Sequence, residues 1–145
     1  MSRYILDTDC FSLYQNQHPE MVRRVKDVDK SEWFVTIITL EEQLRGRLAV
    51  INRVAAHHPE KLPGAYALLH KTQAYFCEVN LLDFDERSRV CYQELRQRKI
   101  RIGTHDLRIA AIALTHQSTL ITRNQKDFTK VSTLSTDDWS VKLLN

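Results

Sequence analysis

Glycine, proline and cysteine each occur only three times in 145 residues. So little glycine and proline excludes a collagen-like, linker-rich or low-complexity chain. The cysteines, Cys10, Cys77 and Cys91, are odd in number and form no C-x-x-C pair. That excludes a disulfide framework or a zinc ribbon and leaves ordinary buried thiols in a reducing compartment as the expectation. No apolar run approaches the roughly 18–20 residues needed to cross a bilayer. The opening Met-Ser-Arg-Tyr-Ile-Leu-Asp-Thr-Asp has carboxylates where a signal peptide has its apolar core. A cytoplasmic protein is therefore expected. Gly46, Gly64 and Gly103 stand too far apart for a P-loop or a G-x-G-x-x-G turn. No serine lies between glycines, and none of the six histidines shows H-E-x-x-H spacing or an evident cysteine partner. His105 adjoins Asp106 and reads as a surface residue at a helix start.

What is present fits one domain of about 100–200 residues, with 43% apolar and 27% charged side chains. Four short apolar runs stand out: Tyr4–Leu6, Trp33–Ile38 ending in Thr39, Val79–Leu82, and Thr119–Thr122. They do not alternate cleanly, which suits strands buried on both faces. Helical spacing lies between them. Leu40, Leu44, Leu48, Ile51 and Ala55 step by three or four, and Ala65–Phe76 is a second such stretch. Glu86–Arg98 offers Val90, Cys91 and Leu95 as an apolar face; Thr104–His116 offers Ile109, Ala110, Ile112 and Ala113. Strands alternating with helices predict an α/β fold with a mostly parallel sheet covered on both sides. Ligands of such sheets bind outside the carboxyl ends of the strands, so polar residues just after each run carry weight.

Acids stand in or near those places. Asp7 follows the first run directly, Glu42 lies four residues beyond the second, Asp106 opens a helix, and Asn124 and Asp127 follow the fourth. Carboxylates that converge without basic partners repel one another and need a cation; an all-oxygen site suits Mg²⁺ or Mn²⁺. Each also has a purely structural role open to it. Thr39-Leu-Glu-Glu42 matches a capping box. Asp106 follows a Thr104 N-cap, where the helix dipole favours a carboxylate. Asp9 suits the N-cap of a helix starting near Cys10. Asp127 suits a turn before Phe128–Lys130. Asp7 has no evident packing role. Charge is also uneven: residues 2–42 hold 5 basic and 8 acidic side chains, whereas residues 86–101 hold 6 basic and 2 acidic. Such a division can draw a metal ion and a polyanion to one cleft, or be a solvated helix face.

From Tyr4 to about Trp139 the chain resembles the PIN-domain ribonucleases, and within them the VapC-like toxins of bacterial toxin–antitoxin pairs. Tyr4-Ile-Leu-Asp7-Thr-Asp9 resembles that family's first strand and first acid. Thr36-Ile-Ile-Thr-Leu-Glu-Glu42-Gln-Leu-Arg-Gly46 resembles its second motif. Gly103-Thr-His-Asp106-Leu-Arg-Ile-Ala-Ala resembles its third, and Leu120-Ile-Thr122-Arg-Asn124-Gln-Lys-Asp127-Phe128 its fourth. The family often has an acid two residues after the threonine of the fourth motif; here Asn124 takes that place and Asp127 follows.

The resemblance implies a single PIN-like domain over residues 1–145, a three-layer α/β/α sandwich that hydrolyses RNA phosphodiesters with Mg²⁺ or Mn²⁺. Asp7 and Asp106 would be the metal ligands. Glu42 would complete the pocket and orient or deprotonate water, and Asp127, Asn124 and Thr122 would be further site residues. Arg45, Arg47, Arg96, Arg98, Lys99 and Arg101 are candidates to hold the RNA backbone. A cognate antitoxin and a homodimer are implied partners. Two other readings remain at this level. One is a PIN-like binding module without catalysis. The other is a haloacid-dehalogenase-type phosphatase with Asp7 as nucleophile and Asp9 as general acid.

Overall fold

The computed structural model describes residues 2–142. Five short strands form one parallel sheet. In chain order they are β1 (Tyr4–Leu6), β2 (Trp33–Thr36), β3 (Leu81–Leu82), β4 (Thr119–Ile121) and β5 (Thr136–Asp137). In space the order is β3-β2-β1-β4-β5. The helices are α1 (Thr8–Gln15), α2 (Pro19–Lys26), α3 (Ile37–His57), α4 (Leu62–Cys77), α5 (Glu86–Gln97), α6 (Thr104–Thr115) and the short α7 (Gln125–Phe128).

The period-two alternation of a strand explains the layers. Ile5 and Leu120 lie opposite each other in register and share one core with Leu107, Ile109–Ala113 of α6 and Tyr92 and Leu95 of α5. The next residues along, Leu6 and Ile121, also pair in register and turn to the other face. There they meet Val35, Phe11, Met21, Val25 and Trp139. With both faces covered the strands read as apolar runs, and the α/β/α sandwich expected from the sequence is present. The far half of the α3–α4 hairpin builds a separate small core from Ile51, Val54 and Ala65.

Several boundaries differ from the sequence expectation, and the caps explain why. Strand β2 stops at Thr36, whose hydroxyl accepts the Thr39 N–H at 3.4 Å. The Thr39–Glu42 capping box therefore does not form, and Glu42 sits in the second turn of α3. Asp7, not Asp9, caps α1 by accepting the Cys10 N–H at 2.8 Å. Gly103, not Thr104, precedes α6. Only Leu81 and Leu82 of the Val79–Leu82 run are strand. Asp127 lies inside α7 and not in a turn. The buried face of α5 is Ser88, Tyr92 and Leu95, because Val90 is 43% exposed. Likewise α3 buries Gln43, Ile51 and Val54, while Leu48 is 52% exposed. Of the cysteines, Cys10 is buried, Cys91 half-buried and Cys77 exposed. Helix α2 and strand β5 were not apparent from the sequence: α2 is short and mostly polar, and β5 has two residues. Among the described residues no helix is long and apolar enough to cross a membrane.

Candidate active site

The order β3-β2-β1-β4-β5 reverses direction at β1, so a crevice opens between the carboxyl ends of β1 and β4. Asp7 stands there. Its N–H donates to the Ile121 carbonyl at 3.0 Å, extending the ladder by one residue, and its side chain then turns to cap α1. The residue is only 5% exposed. Burial pushes its carboxyl up from the ordinary carboxylate value, against hydrogen bonds from Thr122 and Cys10 that pull it down.

Glu42 reaches the same crevice from α3. Thr8 donates its hydroxyl to Glu42 Oε1 at 2.6 Å and lies 2.9 Å from the hydroxyl of buried Thr39. A second contact fixes the two helices: the amides of Gln43 and Gln15 bond reciprocally at 2.7 and 3.0 Å, and Gln43 also donates to Ser12 at 3.2 Å. Asp106 comes from the first turn of α6. Its carboxyl is pushed up to about 6, first by burial, then by the charges of Asp7, Glu42 and Asp127, with His105 opposing. His105 is no bystander at the helix start: Nε2 lies 3.4 Å from Glu41 and Nδ1 3.7 Å from Glu42. Asp7, Glu42 and Asp106 share one open cavity of about 510 Å³ with Thr8, Asn124 and the pair Asp9 and Arg123.

The sequence profile of the PIN domain matches residues 4–134. The chain belongs to the PIN domain family. Ribonuclease VapC2 of Rickettsia felis is 32% identical to it over 73 residues, 48% of this chain and 54% of that relative. The chain thus aligns with about half the length of that protein. A tRNA(fMet)-specific endonuclease VapC of Shigella flexneri is 24% identical over 145 positions, covering 97% of this chain and all of that one. A 2.2 Å structure of VapBC-1 from nontypeable Haemophilus influenzae superposes with a TM-score of 0.72, at 24% identity over 95% of this chain and 98% of that chain.

Within this PIN domain the other expected residues fall into distinct places. Thr122 is fully buried, and its hydroxyl accepts the Asn124 N–H at 2.9 Å. Asn124 lines the cavity, whereas Asp127 does not. Asn124 donates its amide to Asp127 at 3.0 Å, and Lys130 lies 3.5 Å from the same carboxylate. The Asn124 hydrogen bond first, and the Lys130 charge after it, hold Asp127 below the ordinary carboxylate value. Asp127 thus orients Asn124 and adds to the field on Asp106. Arg45 pairs with Glu41 at 3.0 Å, and Arg47 donates to Thr72 at 2.9 Å, tying α3 to α4. Arg96 lies over the Tyr92 ring at 5.8 Å. Arg98, Lys99 and Arg101 are exposed near the end of α5 and in the link that leads into α6 and Asp106. None of these six lines the acid cavity. Thr8 and Arg123 do, and sequence reasoning passed over both. A hydroxyl beside the first acid was the available signal for Thr8; nothing local marked Arg123.

The donors fit a hard divalent ion. Asp7, Glu42 and Asp106 present oxygen atoms only, and Asp106 is raised by burial and then by the charges of its acidic neighbours, charges that a cation would offset. Among the described residues the tight grouping of three ligand atoms, all within 4.8 Å of one another, is instead Asp7, Asp9 and Cys10. That set fits less well. Burial and the neighbouring acids push the Cys10 thiol far up, so it stays protonated, and Asp9 is already engaged by Arg123.

Proposed function

We propose that this PIN domain is a metal-dependent endoribonuclease and the toxin of a toxin–antitoxin pair. The observation that carries the reading is the convergence of Asp7, Glu42 and Asp106 at the switch point of the sheet, with Asp106 pushed up by burial and by its acidic neighbours. Asp7 and Asp106 are the residues to hold Mg²⁺ or Mn²⁺. When bound, such an ion lowers the pKa of water and neutralises charge on the scissile phosphate. The chain's own groups do the rest. Glu42, steadied through Thr8, orients the attacking water and takes its proton. Asn124, held by Asp127, presents a polar group to the same cavity. Arg98, Lys99 and Arg101, exposed at the end of α5 and in the link that leads into α6, are the candidates to hold the phosphate backbone, which would position the strand without reading its sequence. A single-stranded segment suits an open cavity best.

The partners follow from the same reading. The Shigella relative is named as a tRNA(fMet)-specific endonuclease and the Haemophilus neighbour is a VapBC structure, which supports an RNA substrate and a cognate antitoxin. An antitoxin that shields the acids with a basic side chain would silence the site. Assembly as a homodimer in the cytoplasm belongs to this proposal. The phosphatase reading loses its general acid, because both oxygens of Asp9 are bound by Arg123.

The test is cleavage of total cellular RNA by antitoxin-free wild type and Asp106→Asn, each with Mg²⁺, Mn²⁺ or EDTA. Metal-dependent cleavage by the wild type, lost in the variant, is the expected result. A folded wild type that binds RNA but cuts it under no condition would make the chain a binding module instead.

A further inference from the structure

Arg123 follows the end of β4 by two residues and is the one cation among the described residues lining the acid cavity. Its Nε donates to Asp9 Oδ2 at 2.8 Å and its Nη2 to Asp9 Oδ1 at 2.9 Å, the two-pronged match of guanidinium to carboxylate. That pairing occupies one edge of the planar group. Among the described hydrogen bonds no acceptor takes the rest, and the side chain is 47% exposed. The backbone beneath is pinned on both sides: the Thr122 N–H donates to the Asp137 carbonyl at 2.9 Å, and the Asn124 N–H to Thr122 Oγ1 at 2.9 Å. A charged donor is thus held in one place at the mouth of the cavity.

The charge around it gives that placement a use. Asp7, Glu42 and Asp106 concentrate negative potential where a polyanion must arrive. A divalent ion offsets this at the phosphate being cut, but a flanking phosphate still meets the field of the acids. A fixed guanidinium at the rim answers that second phosphate. Asp9 also keeps the arginine from folding back onto Asp7 and Asp106, where it would compete with the ion. We propose that Arg123, clamped by Asp9, grips the RNA phosphate next to the one cleaved, and that Asp9 anchors this positioning residue and is not a metal ligand. The inference rests on the ribonuclease reading above.

The experiment uses the full chain and a short mixed-sequence single-stranded RNA, with kcat and KM measured across a salt series for wild type, Arg123→Gln, Arg123→Lys and Asp9→Asn. Mn²⁺ affinity is read separately, without RNA, by electron paramagnetic resonance. Arg123→Gln is expected to raise KM about tenfold with kcat within about twofold, the mark of lost uniform binding. The slope of log kcat/KM against log salt should fall in magnitude by about 0.7, the value for one phosphate contact on a single strand. Arg123→Lys should keep that slope yet restore only part of KM, since an ammonium lacks the planar fork. Asp9→Asn should raise KM and leave Mn²⁺ affinity within about twofold, against the 10- to 100-fold losses typical of damage to a metal's ligand shells. Unchanged KM and salt slope in Arg123→Gln, or Mn²⁺ affinity about tenfold weaker in Asp9→Asn, overturns the proposal. A fall in melting temperature with no change in salt slope assigns Arg123 a structural role and overturns it too. If wild type cleaves no RNA, both readings fall; if wild type cleaves and Arg123→Gln matches it, only this one does.

Discussion

Helix α6 and the far half of the α3–α4 hairpin are both rich in alanine, leucine and isoleucine, yet they relate differently to the rest of the molecule. In α6, Ile109 through Ala113 are all fully buried between the sheet and α5. In the hairpin, Ile51, Val54 and Ala65 form a small core of their own, while Leu48 and Tyr66 are 52% and 56% exposed. A helix buried on every side cannot shift without opening a void, so α6 holds Asp106 fixed. Helix α3 divides along its length. Its first turns are locked to α1 through Gln43 and Thr39 and present Glu42; its far end is joined mainly to α4. Precision at the site therefore comes from the parts of the helices nearest the sheet, and the hairpin tip is free to vary.

The largest effect is expected at the buried acids themselves. Asp7→Asn should reduce RNA cleavage by at least about a hundredfold under saturating Mg²⁺, since on the proposed reading it removes a charge that holds the ion while asparagine can still cap α1. A near-normal rate would show that the rigid edge of the sheet is not where chemistry happens. The packing contrast comes next. Ile109→Ala should destabilise the fold by about 3 kcal/mol in urea unfolding, because the α6 environment cannot collapse around the cavity. Ile51→Ala should lose only about 1–2 kcal/mol, because a small peripheral core can relax. Equal losses would erase the distinction between the two regions.

A smaller effect concerns Asp106 and pH. Its folded value of about 6 lies above the unfolded 3.8, so between these values the unfolded chain has released the proton while the folded one keeps it. Folding then holds more protons than unfolding, and the stability of the metal-free protein falls as pH rises through this window. Asp106→Asn should therefore stabilise the metal-free protein at pH 7 by about 1 kcal/mol, a figure reduced for the solvent screening of a half-exposed carboxyl, and by nothing near pH 3. A thermal melt at the two pH values checks this, with a shift of about 2–4 °C at pH 7. The smallest effect is at the hairpin surface. Leu48→Gln should change stability by less than about 0.5 kcal/mol and leave cleavage unaltered. A large loss of stability there would mean that the hairpin is as integral as α6.

Much of this was legible in the chain. The apolar runs around Ile5, Val35 and Leu120 announce strands because both their faces are buried, and Ile109–Ala113 announces a buried helix for the same reason. Asp7 was conspicuous as an acid ending such a run. The places where reading failed share one cause. Thr36 and Thr39 both resemble N-caps, and only the length of the β2 ladder decides between them. Strand β5 has two residues and no pattern of its own; it exists because the β4 edge is there to pair with.

Sequence alone determined that an acid ends the first strand and that others stand near the starts of helices, since apolar runs and the polar residues that end them are local properties. Tertiary structure alone decided what each carboxylate touches. Asp9 was free to be a cap or an acid until β4 brought Arg123, 114 residues away, against it. Asp127, read beside Asn124 as a further site residue, is held by Asn124 and Lys130 at the edge of the acid set. A carboxylate's role depends on its nearest charge and donor in space. Those neighbours are set by the order β3-β2-β1-β4-β5, which no short stretch of sequence contains.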